Sequence, residues 1–201
     1  MGRWVPADRE RALGLLRRFG YDATSFQILE EGFTYWFGDD AVVAYVRVGR
    51  RRVVGGGPVC APERRAEVAR RFLADCATAG FGAVFFCAGQ ELVDALTAGG
   101  VPVSAVQIGE QPEWEPAGYR LEGALQRSLR SQVNRARNKG VRVERLGEAS
   151  LAEQRARVAE VMDRWLAARK MGVMRFMVDL QPFSFAAERR YYLASHHERP
   201  V

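Results

Sequence analysis

Between Gly123 and Arg142 the chain carries six basic residues, Arg127, Arg130, Arg135, Arg137, Lys139 and Arg142, and no acidic one. Six is also the formal charge of the whole protein, and the other 24 Lys and Arg equal in number the 24 Asp and Glu. At about 3.6 residues per turn, Leu125, Leu129, Val133 and Ala136 form an apolar stripe. That stripe predicts a helix over Gln126 to Lys139 fixed to a core. Arg127, Arg130, Asn134 and Arg137 form a second stripe, offset from the first. Like charges three and four residues apart disfavour an isolated helix by roughly a few tenths of a kcal/mol per pair, so the stripe asks for a compensating anion. Arginine's planar fork holds two phosphate oxygens at once, and Lys139 adds a flexible point charge beside Gly140. Phosphate is therefore the expected partner. A second reading stays open, in which the stripe is a solvated face with distant acidic partners and its later cations answer the helix dipole.

Other residues could do chemistry. Arg52-Val53-Val54-Gly55-Gly56-Gly57 falls between a predicted strand and a predicted helix, where successive backbone N–H groups can cradle a pyrophosphate such as that of coenzyme A. Pro58 and Pro62 each remove a donor, and glycine is the default residue of a tight turn, so cofactor loop and packed turn both remain open. Glu110, Glu113 and Glu115 cluster with Trp114 after a strand end. Such carboxylates act as general bases when burial raises their pKa, and otherwise they are a solvated loop. His196 and His197 are the only histidines and sit close to the chain end. Cys60, Cys76 and Cys87 show no paired ligand spacing, and no Ser, His and Asp set is spaced for a hydrolase. No metal site is expected, and hydrolytic and cysteine chemistry are set aside.

The elements that must position these groups alternate in type. Pro6 opens a helix whose Leu13, Leu16 and Phe19 recur at helical spacing up to Gly20. Strands are predicted at Phe33 to Phe37 and Ala41 to Val48 around Gly38-Asp39-Asp40, then at Arg51 to Val54. A helix from Pro62 to Ala79 presents Val68, Phe72 and Cys76 on one face, and Ala83 to Cys87 follows as a buried strand. A short helix, Glu91 to Ala98, and a strand, Val101 to Ile108, complete a first unit. From Ala124 the order restarts: the basic helix, a strand Val141 to Leu146, a helix Leu151 to Lys170 with Val158, Met162, Trp165 and Leu166 as its core face, and a strand Arg190 to Ala194. This order predicts an α/β (α+β) fold, a mixed sheet with flanking helices, in two parts, residues 1–118 and 119–201.

With 201 residues, 48% hydrophobic and 27% charged, the chain has enough apolar residues for a full core. A pI near 9.6 favours polyanionic partners, nucleic acid or anionic lipid. No run approaches the ~20 apolar residues that span a bilayer, so membrane contact is expected to be peripheral. Charged residues follow the first six, where a secretory signal would place an apolar stretch. The odd, unpaired cysteines read as reduced thiols of a cytosolic protein.

The sequence resembles the catalytic domain of phosphatidylglycerol lysyltransferases. The likeness runs through Trp36-Phe37, Val43-Ala44-Tyr45, Gly57-Pro58-Val59, Ala83-Val84-Phe85-Phe86, Ile108-Gly109-Glu110 and Leu129-Arg130-Ser131-Gln132-Val133-Asn134-Arg135-Ala136. It continues in Lys139-Gly140-Val141, Asp163-Arg164-Trp165-Leu166 and Arg189-Arg190-Tyr191-Tyr192-Leu193-Ala194. The resemblance implies GNAT-like acyltransferase units in tandem, here one unit followed by the start of a second that continues, in relatives, past the point where this chain stops. It implies transfer of an aminoacyl group from aminoacyl-tRNA to an anionic phospholipid at the inner face of the cytoplasmic membrane, with no cofactor, and with self-association or a missing C-terminal unit completing the site. This truncated chain is then expected to be inactive alone. Arg127, Arg130, Asn134, Arg135, Arg137 and Lys139 are the residues expected at tRNA or lipid phosphate, with Gly55, Gly56, Gly57 and Glu110 as a loop at the site. Two alternatives stand beside it: a coenzyme A-dependent GNAT N-acyltransferase, and a non-catalytic module that docks on RNA or membrane.

Overall fold

The computed structural model describes residues 6–168, 181–197 and 199–201. Helix α1 spans Pro6–Phe19, and Gly20 ends it by donating its N–H to Leu16 O at 2.8 Å. Helix α2, Ala23–Gln27, is capped by Asp22, whose carboxylate accepts from the Ser25 backbone N–H at 2.6 Å and from its hydroxyl at 2.7 Å. Strands β1 (Thr34–Gly38), β2 (Ala41–Val48) and β3 (Arg51–Gly55) then run antiparallel. Both connections are two-residue hairpins, since Gly38 pairs with Ala41 and Val48 with Arg51. Each needs a left-handed residue, supplied by Asp40 (φ +48) and Gly49 (φ +55). A 3-10 turn, Pro62–Arg64, leads into α3, Arg65–Thr78, which crosses back so that β4, Gly82–Phe86, lies parallel to β3. Helix α4 is Gln90–Ala98.

The core of this first unit forms because β2 is buried on both faces. Ala41, Val43 and Tyr45 point one way, into a cluster with Val54, Cys60, Val68, Phe72 and Cys76. Phe72 is the hub, with the rings of Trp36, Tyr45 and Phe85 at 5.9, 5.7 and 6.2 Å. On the opposite face, the Arg11 guanidinium lies 4.1 Å over the Phe37 ring, so α1 covers the side that holds Val42. The helical face predicted for Val68, Phe72 and Cys76 is therefore the face that packs.

The strand expected over Val101 to Ile108 does not form. These residues are irregular, with Val106 84% exposed and Ile108 63%. Their alternation favours a pleated strand, but β4 pairs with β3 alone, and without a neighbour the N–H and C=O groups of a strand are left to water.

The described residues divide into two compact units, 6–109 with 181, and 110–168 with 182–197 and 199–201. The second contains α5 (Arg127–Asn138), β5 (Val141–Leu146), α6 (Glu148–Ala167), β6 (Tyr191–His196) and β7 (Arg199–Pro200). β5, β6 and β7 form an antiparallel sheet, with Leu146 opposite Tyr191 and Val141 opposite His196. Helix α6 is fastened to it through Arg157, which donates to Ser195 Oγ at 3.1 Å, and Arg164, which donates to the Pro200 carbonyl. The core here is small: Leu146 and Leu193 are buried, while Val158, Met162 and Leu166 are half-buried. Trp165, expected within the packed face, is 43% exposed. Lys170, the predicted end of this helix, lies outside the described residues.

Candidate phosphate-binding site

The chain enters α5 through a tight reversal. Gly123 adopts φ +83, and the Arg130 guanidinium reaches back to donate to Leu121 O and Gly123 O, both at 2.7 Å. The first helical turn has no acid and no side-chain cap. At the other end, Lys139 donates its N–H to Arg135 O at 3.1 Å, and Gly140 (φ +83) turns the chain into β5. Glycine is required there twice over. A β-carbon would sit in the left-handed region and 3.3 Å from Cε1 of His197, whose ring packs against the turn.

Arg127, Arg130, Ser131, Asn134, Arg135, Asn138 and Lys139 line an open groove of about 620 Å³ along this helix. They recur every three or four positions, as one face of a helix must. Five of the six cationic and amide residues expected from sequence are brought together. Arg137 is not among the lining residues, being on the helix flank. Ser131 and Asn138, absent from the residues expected by charge, join the groove four residues after Arg127 and after Asn134, on the same face. Together they give the groove hydroxyl and amide hydrogen-bonding groups beside its cations, a set suited to the oxygens of phosphate.

One sequence expectation is corrected. The apolar stripe does not fix the whole helix to a core: Val133 and Ala136 are half-buried, but Leu129 is 38% exposed and Leu125 98%. Leu125 precedes the first helical residue, so it projects beyond the part of α5 that meets the sheet. Arg130 is partly engaged already: its Nη1 donates to two backbone carbonyls, which leaves its other guanidinium donors at the groove.

Several cations outside α5 are ion-paired. In the first unit Arg18 meets Asp40 at 3.0 Å, Arg52 meets Asp75 at 2.5 Å, Arg64 meets Glu67 at 3.2 Å and Arg71 meets Asp39 at 3.5 Å. Arg127, Arg135, Arg137 and Lys139 have no ion-pair partner among the described residues.

The glycine turn is packed by its own unit. Gly55, Gly56 and Gly57 are all buried, and the Gly56 N–H is taken by Phe86 O at 2.8 Å. β-Carbons on the three would lie 3.1 Å from the Phe33 ring, 3.1 Å from Thr24 Cγ2 and 2.6 Å from Tyr21 Oη. Gly56 also needs φ +71. Arg52, the arginine of the Arg-x-x-Gly-x-Gly spacing, is held by Asp75 among the rings of Tyr45, Phe72 and Phe81. Tyr21 lies beneath the Arg65 guanidinium at 3.5 Å, and burial, with Asp22 nearby, pushes its phenol up to about 12. These contacts favour the tight turn over the pyrophosphate loop. Glu110 is exposed in the irregular stretch. Burial raises the Cys60 and Cys76 thiols, so neither is an activated nucleophile. Among the described residues no group of His, Cys, Asp and Glu could hold a metal ion, and no helix is long and apolar enough to cross a membrane.

The family model for the C-terminal region of phosphatidylglycerol lysyltransferase matches residues 13–199. The chain belongs to this family. Relatives of this lysyltransferase-family chain include the lysylphosphatidylglycerol biosynthesis bifunctional protein LysX of Mycobacterium sp. (strain JLS) and that of strain KMS. Each is 34% identical over 115 residues, 56% of this chain and 10% of the relative. A crystal structure from Agrobacterium fabrum, described as the C-terminal domain of a lysylphosphatidylglycerol synthetase, superposes with a TM-score of 0.81 at 20% identity. It covers 97% of this chain and 61% of that one. The L-PGS structure from Bacillus licheniformis gives 0.74 at 19% identity, covering 96% and 61%. The fold is thus the mixed α/β fold of these domains, and the chain spans about three fifths of each solved chain and a tenth of each LysX relative.

Proposed function

We propose that this chain is part of a lysylphosphatidylglycerol synthase-type transferase that moves an aminoacyl group from aminoacyl-tRNA to an anionic phospholipid. One observation carries the reading: a groove lined by unpaired cations along α5, with no acid between Gly123 and Arg142. Both substrates carry anionic phosphate, the tRNA many and the lipid one. The chemistry is a transesterification. A lipid hydroxyl oxygen attacks the aminoacyl carbonyl carbon, the ester bond to the tRNA ribose breaks, and the hydroxyl proton ends on the departing ribose oxygen. Such a step gains most from fixed positioning of the two substrates and from donors aimed at the developing oxyanion. Arg127, Arg135 and Lys139, with Asn134, take the positioning role by gripping phosphate.

The topology supports a GNAT-like assignment of the first unit, in which antiparallel β1–β3 pass through a glycine turn to α3 and a parallel β4. The coenzyme A-dependent alternative has less support, because Tyr21, Thr24 and Phe33 pack its presumptive loop. Peripheral contact with the inner membrane face follows from the lipid acceptor.

The test is transfer of label. The chain is incubated with tRNA charged with radiolabelled lysine and vesicles containing phosphatidylglycerol, and counts in the organic phase are followed. Charged tRNA binds the parent chain, this binding is lost with Arg127→Glu, Arg135→Glu and Lys139→Glu combined, and label that reaches the lipid does so with the parent only. A parent chain that transfers nothing and binds charged tRNA no better than the triple variant overturns the proposal.

A further inference from the structure

The exposed leucines at the start of α5 are not accounted for by phosphate binding. Leu125 is 98% exposed, Leu129 and Leu121 are each 38% exposed, and all three lie at one end of the helix. Arg130 holds that end together by bonding Leu121 O and Gly123 O. Helical side chains lean toward the N-terminus, so Arg127 and Leu129 incline toward the same tip. Aliphatic side chains gain nothing from phosphate and cannot stack on bases, but they gain from leaving water for hydrocarbon. A bilayer carrying anionic headgroups offers both environments within a few ångströms, and the unpaired cations of α5 are its electrostatic complement.

We infer that the tip formed by Leu121, Leu125 and Leu129 inserts into the surface of an anionic bilayer, with Arg127 at the level of the lipid phosphates. The inference rests on the phosphate-binding reading of α5 and names the surface that reading meets. Insertion holds the groove at the membrane face, where a lipid hydroxyl is reached without extracting the lipid.

The experiment is flotation of the full chain with vesicles of phosphatidylglycerol and phosphatidylcholine, beside vesicles of phosphatidylcholine alone, with binding to tRNA measured in parallel. Leu125→Ser with Leu129→Ser is expected to weaken partition to the anionic vesicles by about tenfold or more, from the cost of keeping those side chains in water. Binding to tRNA is unchanged, and Leu125→Phe, still apolar, partitions like the parent. The inference is overturned if the serine variant partitions like the parent, if it loses tRNA binding to the same extent, or if the parent fails to prefer anionic vesicles. The phosphate reading fails separately, when Arg135→Glu with Lys139→Glu leaves tRNA binding intact.

Discussion

Replacing Arg127, Arg135 and Lys139 together by Gln removes three cations that line the groove and have no ion-pair partner among the described residues. Each phosphate neutralised on a duplex contributes about 0.9 to the slope of log affinity against log salt. Three contacts therefore contribute about 2.7. Raising salt from about 50 to about 200 mM is a fourfold change, so the parent is expected to lose about 40-fold more affinity than the triple variant over that range. Fluorescence anisotropy with a labelled acceptor-stem duplex reads both slopes directly. Arg130→Gln is the internal control. Its Nη1 already holds two backbone carbonyls, so its loss is expected to change the slope less than that of the other three and to destabilise the second unit by about 1–2 kcal/mol. Parallel salt lines for the parent and the triple variant would refute the claim that these three residues meet phosphate, and a slope change from Arg130→Gln equal to that of the others would refute the division of roles.

The remaining predictions concern the first unit. Phe72→Ala, at the centre of three aromatic rings and fully buried, should cost about 3–5 kcal/mol in chemical denaturation. Gly56→Ala forces a β-carbon into φ +71 against Thr24 and should cost about 1–2 kcal/mol by thermal melting. Burial pushes the phenols of Tyr21 and Tyr35 up to about 12. Their protonated forms are favoured in the folded state, so stability falls as pH rises from about 10 toward 12, and below 10 they contribute no pH dependence. Absorbance titration at alkaline pH should show a late component that shrinks in Tyr21→Phe and again in Tyr35→Phe.

Local signals in the sequence located most elements, and the misses share a cause. Val68, Phe72 and Cys76 were readable as a buried face because α3 packs along its length on a four-stranded sheet. The same reasoning failed for Leu125 and Leu129, since periodicity shows which residues share a face and not how far the opposing surface extends. Val101 to Ile108 has the alternation of a strand, yet pairing depends on a neighbour that alternation cannot supply. At the groove, charge points to Arg137 as readily as to its neighbours, and nothing local marks Ser131 and Asn138 as lining residues. The fate of the glycine turn was illegible for a related reason: Tyr21 and Thr24, which fill it, lie some thirty residues upstream, and nothing in the local motif announces them.

Gln181 belongs to the first compact unit although most of the second precedes it in the chain. Its backbone N–H donates at 3.2 Å to the buried carboxylate of Glu30, and its side-chain oxygen accepts from Arg9 at 3.4 Å. During synthesis the chain emerges in order, so the first unit lacks this donor until α5, β5 and α6 have already left the ribosome. The first unit therefore gains this contact only after most of the second has been synthesised. A cut after Gly109 severs the unit from one of its own residues, leaving Glu30 one donor short in a place shielded from water.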